Sequence, residues 1–70
     1  MNNKVFDEQI KLVIAELKKA GYIPYDQLYG YVSTGEISYI TRKGDARAIV
    51  AEMDIDEIRA FLERGKAETM

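Results

Sequence analysis

The sequence predicts an all-α, single-domain helical bundle of about four segments that pairs into a homodimer. Three observations predict it. Apolar residues recur at i, i+3, i+4 and i+7 in successive stretches, the spacing of one helix face. Gly21, Gly35, Gly65 and the lone proline fall at the edges of those stretches, where helices stop and start. The chain has 70 residues and no cysteine, so disulfides cannot stabilise it. A domain of this size buries only about 60% of its unfolded surface, which leaves tight helix packing or self-association as the remedy.

The first helix carries Phe6, Ile10, Val13, Ile14 and Leu17 on one face, with Glu8, Lys11 and Lys18 on others. Lys18 and Lys19 suit the negative end of the helix dipole, and Gly21 is a fitting stop. Val5 and Leu12 fall off the stripe, either as stray apolar residues or as a second contact face. Pro24 suits the first position of a second helix. Tyr25, Leu28, Tyr29 and Val32 form its stripe, Tyr31 lies off it, and Ser33-Thr34-Gly35 ends it. Gly30 inside that helix costs up to ~1 kcal/mol relative to alanine, and a glycine there often admits another backbone.

Residues 36–53 read in two ways. Ile37-Ser38-Tyr39-Ile40 and Ala46-Arg47-Ala48-Ile49-Val50, joined through Arg42-Lys43-Gly44-Asp45, have the form of a β-hairpin. Ala46, Ile49, Val50 and Met53 instead have helical spacing, and alanine at 46, 48 and 51 favours the helix. Asp45 would then be its cap. In the last helix Asp54 is the cap, Glu57 the third helical residue, and Ile55, Ile58, Phe61 and Leu62 the apolar stripe. Gly65 is expected to end it and residues 66–70 to fray, all within one domain over 1–70.

Composition excludes several functions. Without cysteine or histidine there is no thiolate, no imidazole base and no Ser-His-Asp triad. A domain this small has little room for a deep pocket, so no catalytic residue, cofactor or metal is expected. Asp54, Asp56 and Glu57 lack the spacing of a calcium loop and read as helix-start acids. Gly30 to Gly35 lacks the lysine of a phosphate loop. A net charge of −2 argues against nucleic-acid binding. No apolar run approaches the ~18 residues of a membrane span, and no secretory leader is visible, which fits a cytoplasmic protein.

What remains is protein contact. Four of the 5 tyrosines lie between Gly21 and Gly35, and tyrosine is favoured at interfaces because its apolar ring carries a polar tip. Tyr29, Tyr31 and Leu12 are the candidate dimer contacts. Arg42, Lys43 and Arg47 are the one basic concentration, either an anion contact or a solvated face. Ser33, Thr34, Ser38 and Thr41 are possible phosphoacceptors, and a phosphate on Thr41 would lie near Arg42 and order the loop. An adaptor without phosphorylation, or a helix-turn-helix DNA binder with Gly21 at the turn, are the alternatives.

The ordered set Gly21-Tyr22, Pro24, Gln27, Gly30-Tyr31-Val32, Gly35, Tyr39, Arg42, Ala46-Arg47, Ile49 and Asp56-Glu57-Ile58 resembles the IreB family without a gap. The resemblance implies a small cytoplasmic helical homodimer and a regulatory phosphoprotein. It implies a membrane-spanning Ser/Thr kinase with extracellular PASTA repeats and an opposing phosphatase as partners. The implied role is negative regulation of intrinsic resistance to cell-wall antibiotics. The chain departs from the family at Glu36-Ile37, where the family has Asp-Pro, and at Thr41, where it has proline. Family members also carry an N-terminal arm with phosphorylated threonines. Here no threonine precedes Thr34, so no phosphorylation site transfers and a divergent member is expected.

Overall fold

The computed structural model describes the backbone of residues 4–69 and the side chains of residues 4–65. Its elements are α1 (Lys4–Lys19), α2 (Pro24–Thr34), a single 3-10 turn at Ile37–Tyr39, α3 (Ala46–Ala51) and α4 (Ile55–Thr69). Among the described residues there is no strand, so the helical reading of residues 46–51 holds and the hairpin does not form. α1 packs on α2 and α3, while α2 packs on α4 and on the 3-10 turn.

The core is built from the expected stripes. Phe6, Ile10, Val13 and Leu17 of α1 are buried with Leu28 and Val32 of α2. Ala46, Val50 and Met53 enter from the α3 region, and Ile58 and Leu62 from α4. Burying each large aliphatic side chain stabilises the fold by about 1.5–3 kcal/mol. Ile40 is also fully buried, although it belongs to no helical stripe.

The helix ends follow local chemistry. After α1, the Gly21 N–H donates to Lys18 O and the Tyr22 N–H to Leu17 O, both at 3.0 Å, with Gly21 at φ 91°. This double bond satisfies the last carbonyls and needs the left-handed backbone that glycine tolerates. Pro24 opens α2 as its spacing predicts. Asp54 caps α4, its carboxylate accepting from the Asp56 N–H at 2.8 Å.

Four expectations need correction. Asp45 precedes α3 but its side chain makes no cap bond. α4 does not stop at Gly65; its backbone continues helically to Thr69. The fraying expected at 66–70 concerns residues whose side chains, and at Met70 the backbone, lie outside the description. Gly30 admits a ring, not a backbone: a Cβ there would lie 2.5 Å from Tyr39 Cδ1. Tyr25 and Tyr29, placed on the core stripe, sit at its exposed edges.

Candidate functional site

The segment between α2 and α3 is irregular, yet three helices pin it. Gly35 closes α2 in the left-handed conformation, its N–H donating to Tyr31 O at 2.7 Å. The Thr34 hydroxyl donates to Gly30 O at 2.8 Å and accepts from the Glu36 N–H at 3.1 Å. From α2, Gln27 Oε1 accepts from the Thr41 N–H at 2.9 Å. From α3, Arg47 Nε donates to Ile40 O at 2.9 Å and Nη2 to Ser38 O at 3.5 Å. From α1, Glu16 Oε1 accepts from the Asp45 N–H at 3.1 Å. Gly44, at φ 67°, leaves room for that carboxylate, which a Cβ would strike. These bonds hold Ile40 in the core and satisfy backbone groups that the irregular path leaves without helical partners.

The predicted basic group divides accordingly. Arg47 is half-buried and engages backbone carbonyls of the segment. Arg42 and Lys43 are exposed, and their side chains make no hydrogen bond or ion pair among the described residues. An ion pair does form in α4, between Arg59 and Asp56 at 2.7 Å. Arg59 also donates to Val32 O at 2.8 Å and so ties α4 to the end of α2.

The tyrosine block also divides. The Tyr29 hydroxyl donates to Leu62 O at 3.2 Å, a tether to α4, and Tyr29 remains 36% exposed. Tyr31 is half-buried against the core. Tyr25 stacks on Phe61 with ring centroids 6.4 Å apart, and Phe6 meets the same ring edge-on at 6.2 Å. Tyr22, Ile23 and Tyr39 line an open groove at the α1–α2 turn, edged by Asp26 and Gln27. Leu12 is 56% and Val5 67% exposed. Seven residues apart, they share one outer face of α1.

Ile23 and Tyr39 are exposed apolar residues that periodicity missed, because both lie outside the α-helices. Their signal in the sequence is a bulky apolar side chain beside Pro24 and beside Ile40, where turn residues are usually polar. No buried side-chain polar atom lacks a partner among the described residues. Among them, no three His, Cys, Asp or Glu side chains converge as a metal site. No described helix is long and apolar enough to cross a membrane.

A family model described as IreB regulatory phosphoprotein matches residues 1–64. No solved structure matches the chain.

Proposed function

The chain belongs to the IreB family, a family of regulatory phosphoproteins, and from that premise we propose a non-enzymatic, cytoplasmic homodimer that regulates through protein–protein contact. Its partners in this reading are a second copy of itself, a PASTA-type Ser/Thr kinase and the opposing phosphatase. Its output is restraint of intrinsic resistance to cell-wall antibiotics. The family match over residues 1–64 carries the proposal.

The surface supports it. Exposed Val5, Leu12, Tyr22, Ile23 and Tyr39 are a large apolar allotment for a chain of this length. In the proposed dimer, Leu12 contacts the second copy, with Tyr29 and Tyr31 at the edge of the contact. Arg42, Lys43 and Arg47 serve as the anion contact.

Light scattering in dilute solution tests the dimer. The expected molar mass is twice that of one chain, and Leu12→Lys is expected to halve it. A monomer at every concentration refutes the homodimer. Deleting the gene in its host and measuring tolerance of cell-wall antibiotics tests the output; unchanged tolerance refutes it.

A further inference from the structure

We propose that Thr41 is a phosphoacceptor whose phosphate is held by Arg42, Lys43 and Arg47. The inference rests on the regulatory-phosphoprotein reading above and names a site within it. The Ser and Thr residues of the chain are Ser33, Thr34, Ser38, Thr41 and Thr69. A kinase must bring the attacking hydroxyl in line with a bound nucleotide, which regular helix hinders because its backbone stays wrapped. Ser33 and Thr34 lie in the last turn of α2, Ser38 in the 3-10 turn and Thr69 in α4. Thr41 alone of these has irregular backbone.

Its hydroxyl hydrogen is unengaged among the described residues, as are the hydroxyls of the more exposed Ser33 and Ser38, so backbone and local charge rather than availability single it out. Thr41 Oγ1 accepts from the Lys43 N–H at 3.2 Å in an exposed contact, and its own hydrogen has no acceptor among the described residues. The Thr34 hydroxyl, by contrast, already donates to Gly30 O.

The surroundings suit a dianion. Residues 41–47 hold three cations (Arg42, Lys43, Arg47) and one acid (Asp45), a local +2 within a chain of net charge −2. Arg42 and Lys43 are unpaired among the described residues. The Nε bond of Arg47 to Ile40 O sets its guanidinium against the peptide that joins Ile40 to Thr41. Glu16, an acid from another element, meets the segment at Gly44 and Asp45, where its carboxylate accepts from the Asp45 N–H.

The chemistry is ordinary phosphoryl transfer. Thr41 Oγ1 attacks the γ-phosphorus of a nucleoside triphosphate bound to the kinase. The new O–P bond forms as the bond to the β–γ bridging oxygen breaks. The nucleoside diphosphate leaves with the electron pair, and the hydroxyl proton passes to the kinase's carboxylate base. The product carries about −1.5 to −2 of charge and three strong acceptor oxygens, enough to neutralise the local excess and form charge-assisted bonds.

The test incubates the full chain with the soluble catalytic domain of the Ser/Thr kinase and γ-labelled ATP, and maps phosphate by mass spectrometry. Label is expected on Thr41, lost in Thr41→Ala and retained in Ser38→Ala. Label on another residue overturns the inference and leaves the phosphoprotein reading standing. No label at all overturns both. A second measurement follows the phosphorus resonance of protein phosphorylated at Thr41 against pH. Its second ionisation is expected below that of a phosphothreonine peptide and closer to it in Arg42→Ala/Lys43→Ala. Coincidence of protein and peptide overturns the role of the three cations.

Discussion

Replacing Gly30 by alanine sets two opposed effects against each other at one atom. Gly30 is inside α2, where alanine is favoured over glycine by about 1 kcal/mol through backbone entropy. The added Cβ would lie 2.5 Å from Cδ1 and 3.0 Å from Cγ of Tyr39, closer than real Cβ contacts come. Tyr39 is 50% exposed, so its ring can swing into solvent instead of moving the backbone. Full burial of a large apolar side chain contributes up to about 3 kcal/mol, so displacing a half-buried ring costs about 1–1.5 kcal/mol. The helix gain is therefore cancelled or slightly exceeded. Gly30→Ala alone is expected within about 0.5 kcal/mol of the parent, on its unstable side. In a Tyr39→Ala background the ring is gone and the same change is expected to stabilise by about 1 kcal/mol. The coupling between the two sites is then about 1–1.5 kcal/mol. Urea unfolding followed by far-UV circular dichroism, at one fixed protomer concentration, measures all four corners of the cycle. Equal stabilisation by Gly30→Ala in both backgrounds would refute the reasoning, because the ring would then place no constraint on residue 30.

Three further outcomes are expected. Arg59→Ala should cost about 1 kcal/mol through the lost bond to Val32 O, and Asp56→Ala less, because an exposed ion pair contributes little; equal losses in urea unfolding would contradict this. Tyr29→Phe removes the hydroxyl bonded to Leu62 O and should cost about 0.5–1.5 kcal/mol while leaving the molar mass unchanged; an unchanged midpoint would show that the tether is not stabilising. Leu28→Ala empties a fully buried site and should cost about 2–5 kcal/mol, a large share of the stability of so small a domain; calorimetry would contradict it by finding a loss below about 1 kcal/mol.

Much of the fold was legible in local pattern. The stripe of α1, the start of α2 at Pro24 and the cap at Asp54 each follow from residues a few positions apart. The segment between α2 and α3 was not legible, for a physical reason. Its partners are Glu16, 29 positions from Asp45, and Gln27, 14 positions from Thr41, and no short-range spacing encodes those meetings. The same limit bears on Asp45, which had the residue type of a cap but whose backbone, tied by its N–H to Glu16 of another helix, sits at φ −103° and ψ 3° instead of the extended conformation from which a cap carboxylate reaches the first helical N–H groups. It also explains Tyr29. Its spacing put it on the inward stripe, but the stripe of a short helix is wider than the face its neighbours cover. The ring therefore stays at the edge with its hydroxyl on α4.

The sequence by itself determined the helical class, most of the core and the family. Periodicity, caps and an ordered gap-free motif are properties of the chain read in one dimension. Only the tertiary structure decided which cations are left unpaired among the described residues and which apolar side chains remain exposed. Those outcomes depend on which groups distant helices bring together. Arg47 and Arg42 look alike in the sequence; one meets the Ile40 carbonyl, and the other meets no partner among the described residues.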